Sequence, residues 1–288
     1  MCPHYREAYY KPLSREPIRF DRPPDFRWRR IELPCGKCFQ CRKARAGDWV
    51  TRLMCEWKFH ERGSFLTLKY LPEHRPESLQ AAYPDFVSFM KRFRKAIAPC
   101  RVRFAVAGEH GPRTGHPHFH VVVFGWQDAA DWEPLARGRA LCYSSAFLQA
   151  LWPHGWLTVG PVADGCIAYV AGHAQKALLC AAGRSVFRCS NRPGMGRLFV
   201  ERYRREIFAN DAVIRPGGIR RAVPRYFDRA VLSDLERHDL NLQRALRFER
   251  KRAFESSQAR REACERYERL MVERRMAGEP TYLPRGKF

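Results

Sequence analysis

Apolar positions recur along this 288-residue chain with two different periods, and those periods mark out its elements. Across residues 42–62, Trp49, Leu53, Trp57 and His60 return at helical spacing with basic residues on the other face, which predicts an amphipathic helix. Residues 64–70 (SFLTLKY) read as a strand stopped by Leu71-Pro72. Residues 83–97 predict a second amphipathic helix that starts near Asp85. Residues 101–109 and 118–124 read as strands, and the Gly/Pro-rich turn between them makes the two antiparallel. Then come a capped helix over 144–152, closed by Pro153 and Gly155, a strand over 156–162, and a helix over 165–182 despite Gly172.

The rest of the chain carries weaker periodicity. Residues 1–30, rich in Pro, Arg and Tyr, read as mostly irregular. Residues 185–227 hold Pro193, Gly194, Gly196, Pro216, Gly217 and Gly218, which predicts loops around a helix near 196–208. From about 228 to 276 the pattern is charged, Pro-free and helical, with the alternating signs of a solvated helix or helix pair. There is no internal repeat. This order predicts an α+β fold with a central antiparallel sheet and flanking helices. It also divides the chain into an N-terminal cysteine-rich extension with a basic helix (1–62), a central domain (63–228) and a charged helical C-terminal segment (229–288).

Composition narrows the function classes. Hydrophobic residues make up 45%, enough for a core and too many for wholesale disorder. The formal net charge of +23 calls for a polyanionic partner, nucleic acid ahead of a membrane surface. No apolar run reaches the roughly 18 residues of a membrane span, and the first residues lack the apolar core of a signal peptide. The expected location is therefore a cytoplasm. Arg42, Lys43, Arg45 and Arg52 surround Trp49, and basic residues interleaved with aromatics suit a groove for single-stranded nucleic acid. The alternative is that the tryptophans belong to the core.

There are eleven cysteines, an odd number, and in a reducing compartment they do not form a disulfide framework. Cys55, Cys100, Cys142, Cys166, Cys180, Cys189 and Cys264 are scattered and read as small buried hydrophobes. Cys35, Cys38 and Cys41 have tight ligand spacing, and Cys2 offers a fourth thiolate, a set that suits structural zinc. Part of an iron–sulfur run and free thiols in a loop are the alternatives.

The chemistry concentrates in residues 115–125, GHPHFHVVVFG. Strand alternation points His118 and His120 to one face, roughly 6.6–7 Å apart, close enough to converge on one ion. Phe119, Val121 and Val123 face the other way, toward a core. His116 shares the parity but precedes Pro117 at the turn. Glu109 ends the partner strand and can reach the same ion across the hairpin. Such a His/His/Glu set suits Mg²⁺ or Mn²⁺ beside a phosphate and also accepts Zn²⁺; the competing reading is turn histidines bonded to loops.

The triplet His118-Phe119-His120 resembles the signature of the HUH endonucleases, a superfamily of rolling-circle replication initiators, relaxases and transposases. Phe65-Leu66-Thr67-Leu68 resembles its first strand motif, and Tyr169-Val170-Ala171-Gly172-His173-Ala174-Gln175-Lys176 its tyrosine helix. More narrowly, the chain resembles the replication initiation proteins of microviruses, especially the gokushovirus-like branch. The further matching pieces are Pro34 to Arg42, Gly108-Glu109-His110-Gly111, Leu151-Trp152-Pro153-His154-Gly155, Arg192-Pro193-Gly194-Met195-Gly196 and Pro224-Arg225-Tyr226-Phe227.

The resemblance implies a metal-dependent nuclease that nicks DNA at a viral replication origin. Tyr169 would attack the phosphate, giving a 5′-phosphotyrosyl link and a 3′-OH primer for host replication machinery in a bacterial cytoplasm. His118, His120 and Glu109 would hold the divalent ion. Lys176, seven residues after Tyr169, shares its helix face and would contact the phosphate or metal-bound water. One departure stands out. The branch commonly carries a second tyrosine four residues on, and here that place is His173. Tyr169 working alone, His173 as a base or extra ligand, and a copy impaired in termination remain the readings of that difference. A relaxase or transposase of the same superfamily and a non-catalytic zinc-bearing nucleic-acid-binding protein are the alternatives.

Overall fold

The computed structural model describes residues 2, 4–12, 14, 16–23, 25–111, 115–135, 142–176, 185–255 and 257–276. Among them the strands are β1 (Tyr5–Tyr10), β2 (Arg29–Pro34), β3 (Gly63–Lys69), β4 (Arg103–His110), β5 (Pro117–Phe124), β6 (Trp132–Pro134), β7 (Tyr143–Ser145), β8 (Leu157–Pro161), β9 (Ser185–Cys189), β10 (Val213–Arg215) and β11 (Ile219–Arg221). The helices are α1 (Phe39–Trp57), α2 (Leu79–Ala96), α3 (Ala146–Ala150), α4 (Asp164–Lys176), α5 (Arg197–Arg202), α6 (Arg204–Asn210), α7 (Arg225–Val231), α8 (Asp234–Glu255) and α9 (Gln258–Met276). They form two compact units, Met1–Ala44 with Leu232–Phe288, and Arg45–Val231. The predicted N-terminal extension is thus divided within α1, and its first part shares a unit with the C-terminal segment.

The larger unit is built on a seven-stranded sheet in the order β6-β7-β8-β3-β5-β4-β9, with every neighbouring pair antiparallel. One face packs on α2: Leu66, Leu68, Val106, Phe119, Val121, Val123, Leu157 and Val159 meet Phe86, Phe89 and Phe93. The other face packs on α1 and α4: Ala105, Ala107, Val122 and Phe124 meet Leu53, Met54, Ile167, Val170 and Ala171. Both faces of the far half of β5 are therefore covered, which is why its sequence ends as a continuous apolar run instead of alternating. Each fully buried Val or Phe there contributes about 1.5–3 kcal/mol. The first half of β5 alternates, and its polar positions, His118 and His120, are only partly covered.

The central antiparallel sheet with flanking helices agrees with the sequence reading, and four details differ. Helix α2 starts at Leu79, not near Asp85; the Ser78 hydroxyl accepts the Ala81 N–H, and burial of Leu79 and Ala82 outweighs the breaker signal of Pro84, which lies inside the helix. The N-terminal region is not irregular but forms the β1–β2 pair, whose Tyr, Arg and Glu side chains leave only Ala8 buried and so give no two-residue apolar period. Strand β9 and the β10–β11 pair lie in the stretch read as loops. The scattered cysteines are not uniformly buried: Cys55 and Cys264 are, Cys142, Cys166 and Cys189 are half-buried, and Cys100 is exposed in the α2–β4 connection, with its thiol donating to the Gly125 carbonyl. Cys180 and the end of the helix predicted over 165–182 lie outside the described residues.

In the smaller unit β1 and β2 pair, and α8 and α9 follow as two charged helices. The Phe39 ring stands edge-on to Tyr267 of α9 at 5.2 Å, and the Lys43 ammonium lies 5.2 Å from the same ring. Among the described residues no helix is long and apolar enough to cross a membrane.

Candidate active site and cysteine centre

The β3–β5–β4 register decides which side chains meet. His118 stands opposite Glu109 on β4 and Lys69 on β3; His120 stands opposite Ala107 and Thr67. Alternation places Thr67, Glu109, His118 and His120 on the face that α4 covers. Glu109 Oε1 is 3.5 Å from His118 Nε2 and 3.7 Å from His120 Nε2. One ligand atom from each of the three lies within 4.8 Å of the other two.

The far nitrogens of both imidazoles are also held. His118 Nδ1–H donates to the His116 carbonyl at 3.2 Å, and His120 Nδ1 is 3.2 Å from the Thr67 hydroxyl. Anchoring Nδ1 turns Nε2 of each ring toward Glu109, the arrangement by which an outer hydrogen bond fixes tautomer and aim in metal-binding histidines. The Phe65 ring stacks on His120 at 5.8 Å with an interplanar angle of 5°. Two neutral imidazoles and a carboxylate, all aimed inward, fit a divalent cation.

Helix α4 brings the remaining groups. Tyr169 and His173, four residues apart, share one helix face. The Tyr169 hydroxyl donates to Glu109 Oε1 at 2.9 Å and lies 3.3 Å from His120 Nε2. Partial burial, the Glu109 charge and the hydrogen bond to it all raise the Tyr169 pKa above its ordinary value. The ring nonetheless stays 46% exposed, so a substrate can reach its oxygen. His173 is buried, with Nδ1 3.2 Å from Glu109 Oε2. The two oxygens of one carboxylate thus face different partners, Tyr169 with the two strand histidines on one side and His173 on the other. Lys176 closes α4, and its side chain lies outside the described residues.

The structure therefore brings Glu109, His118, His120, Tyr169 and His173 together. The sequence reading missed Thr67 and Phe65 as members of this cluster. The available signal was parity: Thr67 is the position opposite His120 once β3 pairs with β5.

In the smaller unit Cys2, Cys35, Cys38 and Cys41 converge, with their sulfurs all within 4.8 Å of one another. Cys38 Sγ is 3.7 Å from Cys2 Sγ, and Cys35 Sγ is 4.0 Å from Cys41 Sγ. Tetrahedral zinc with Zn–S bonds of roughly 2.3 Å has sulfur–sulfur edges of about 3.8 Å, so the cluster has the size of a Cys₄ zinc centre. Backbone N–H groups of Cys35 and Cys38 point at Cys2 Sγ (3.4 Å) and Cys35 Sγ (3.3 Å). Burial opposes the Cys35 thiolate, but the amides of Cys38 and Lys37 and neighbouring thiols outweigh it and bring the pKa to about 6.

The proposed DNA-contact residues divide between the units. Arg42 is half-buried and donates to the Lys37 carbonyl at 2.7 Å, and Lys43 lies against Tyr267. In the larger unit Arg45 is exposed, whereas Trp49 stands edge-on to Phe187 at 4.8 Å. The Arg52 guanidinium lies between the rings of Trp49 (4.0 Å) and Tyr226 (3.9 Å) and donates to the Met195 carbonyl.

Two of the motifs noted in the sequence meet here. A Cβ on Gly194 would lie 2.2 Å from the Tyr226 hydroxyl, and one on Gly196, whose φ is +77°, would lie 2.9 Å from the Phe227 ring. In Leu151-Trp152-Pro153-His154-Gly155, Trp152 is buried with its indole N–H donating to the Lys69 carbonyl, and a Cβ on Gly155 would lie 2.3 Å from that oxygen.

Comparison with known proteins gives the same family. Residues 63–178 match the family model of the replication-associated protein ORF2. The chain is 29% identical over 233 residues to the Replication-associated protein ORF4 of Chlamydia phage 1, covering 75% of this chain and 58% of that one. It is 29% identical over 209 residues to the Replication-associated protein VP4 of Bdellovibrio phage phiMH2K, covering 68% and 66%. The chain thus spans less than two thirds of the length of these relatives. No solved structure matches it.

Proposed function

From residues 63–178, which belong to the replication-associated protein ORF2 family, we propose that this chain starts rolling-circle replication. It does so by cutting one DNA strand with Tyr169, as an HUH-type nuclease. The observation that carries this reading is the Tyr169 hydroxyl, 2.9 Å from Glu109 and 3.3 Å from His120, at the edge of a His/His/Glu cluster and half exposed. A cluster of this kind would also serve a purely structural ion, but it would not then need an accessible phenol within hydrogen-bonding distance.

Glu109, His118 and His120 hold a divalent ion, Mg²⁺ or Mn²⁺. When bound, the ion polarises the scissile phosphate and offsets the charge that builds on it. Thr67 and the His116 carbonyl keep the two imidazoles aimed. Tyr169 Oη attacks phosphorus; a P–O(Tyr) bond forms and the P–O3′ bond breaks. The phenol proton leaves to solvent at the exposed edge of the ring, and the departing 3′ oxygen takes a proton from water to become the 3′-OH primer. Attack of a 3′-OH on the 5′-phosphotyrosyl link reverses these bonds and rejoins the strand. With one tyrosine on α4, cutting and closing require two subunits or two rounds.

His173 is a positioning residue in this reading, since it touches Glu109 and not the phenol oxygen. Lys176 is proposed as a phosphate contact. The four cysteines hold a structural zinc ion, and Arg42, Lys43 and Arg45 contribute phosphate contacts, with Trp49 and Arg52 supporting them. The partners are the single-stranded viral origin and the replication machinery of the bacterial host, in whose cytoplasm the protein works.

One gel tests the chemistry. Wild-type protein incubated with single-stranded oligonucleotides tiling the viral genome and Mn²⁺ gives a denaturation-resistant shifted band that protease removes, and Tyr169→Phe gives none. An adduct that survives in Tyr169→Phe overturns the assignment of the nucleophile. DNA binding by the wild type with no adduct under any divalent ion favours a non-catalytic zinc-bearing nucleic-acid-binding protein.

A further inference from the structure

The register that assembles the histidine site also aligns residues beside it that the chemistry does not use. Lys69 stands opposite His118 on β3. Its backbone N–H donates to the Trp156 carbonyl at 2.9 Å, which carries the β3–β8 pairing one step beyond Leu68 opposite Leu157. A single rung therefore runs Trp156, Lys69, His118, Glu109 across four strands.

Parity places all four side chains on one face. Leu157 and Leu68 are buried in the core beneath α2, so their neighbours Trp156 and Lys69 project to the opposite, histidine-bearing face. Adjacent strands are about 4.8 Å apart, so Lys69 is one step and Trp156 two steps, about 10 Å, from His118 along the rung. Lys69 is exposed, and Trp156 is 58% exposed although it adjoins a strand whose next residue is fully committed to the core. A large aromatic held in water beside a cation, in line with a phosphate-cutting site on a chain of net charge +23, matches the chemistry of a single nucleotide: a base to stack and a phosphate to pair.

We propose that Trp156 and Lys69 form a subsite for the nucleotide next to the scissile phosphate, Trp156 stacking on its base and Lys69 pairing with its phosphate. The occupant is single-stranded DNA, and the subsite rests on the reading of Tyr169 as the nucleophile only for which phosphate is the scissile one. The rung would lead the strand past His118 toward Tyr169, so that β8 and β3 seat the substrate while β4, β5 and α4 perform the reaction.

The test uses the full chain carrying Tyr169→Phe, so that binding is reversible, and two fluorescein-labelled strands of equal length: oligothymidine and an abasic strand that keeps the phosphates and lacks the bases. Trp156→Ala is expected to weaken oligothymidine binding about tenfold and leave the abasic strand unaffected, while Trp156→Phe keeps most of the affinity. Lys69→Ala weakens both strands and makes the slope of log affinity against log salt shallower by about 0.7. The subsite is overturned if Trp156→Ala binds oligothymidine as tightly as its parent, or loses affinity equally for both strands while Trp156→Phe does the same. The adduct gel is a separate readout. An adduct with no effect of Trp156→Ala removes the subsite alone, whereas the base-dependent loss without any wild-type adduct keeps the subsite and removes the tyrosine chemistry.

Discussion

At the scale of single residues, the site depends on what holds each ligand from behind. His120 has Thr67 on Nδ1 and Phe65 against its ring; His118 has the His116 carbonyl. Losing an outer partner of this kind typically costs tenfold or somewhat more in metal affinity. Thr67→Val, which keeps the shape and removes the hydroxyl, is therefore expected to weaken Mn²⁺ binding about tenfold in a calorimetric titration while leaving the melting temperature close to wild type. Unchanged affinity would mean that stacking on Phe65 alone aims the ring. The ligands were legible in the sequence because H-x-H in a strand is a parity statement. Thr67 was not, since parity on one strand says nothing about which residue stands opposite until the register is known. His173 was legible as a departure from the family, but its contact with Glu109 depended on how α4 sits over β4.

At the scale of elements, the later turns of α1 are fastened within the larger unit through buried charge. Glu56 takes the Gly196 N–H at 2.8 Å, His60 Nε2 at 3.1 Å and Arg103 Nε at 3.2 Å, so one carboxylate joins the helix, β4 and the turn before α5. Burial raises its pKa, but these partners outweigh burial and leave it lowered. Asp48, one turn from Arg52 on the same helix, shows the opposite balance. Burial outweighs the attraction of Arg225 and Arg52, and its pKa rises to about 6 from 3.8. A folded-state value above the unfolded one means that protonated Asp48 favours the fold at low pH, and that this contribution is lost as pH rises from about 4 through about 6. Asp48→Asn removes that dependence. Its urea midpoint relative to wild type is expected to be higher at pH 7 than at pH 4, and a difference independent of pH would show that Asp48 is solvated. The sequence revealed α1 as a helix with a basic face. It did not reveal that Arg52 lies between Trp49 and Tyr226, because that sandwich joins residues 49, 52 and 226.

At the scale of the whole molecule, the sequence conveyed the order of strands and helices in the larger unit wherever apolar residues kept a period. It failed where elements were short or solvated on both faces, as in β1, β2, β6 and β7, since two or three side chains cannot establish a period. The cysteine centre holds together a unit whose helices α8 and α9 carry few buried side chains, Leu240, Cys264 and Met271 among the described ones. Such a unit has little apolar burial to fall back on, and metal binding becomes folding energy. Protein purified without chelator is expected to contain about one zinc per chain. Cys38→Ser is expected to lose that zinc and to add an early step to thermal unfolding; a zinc content near zero in the wild type would leave the four thiols as an unmetallated cluster.

The order of strands in the sheet has one more consequence. The groups proposed to break the bond come from β4, β5 and α4, whereas Trp156 and Lys69 come from β8 and β3, where Gly155 fixes how closely those strands approach. A library randomised at residues 69 and 156 would thus explore new cleavage-site preferences without touching the residues proposed for catalysis, making this chain a scaffold for retargeted covalent DNA tags.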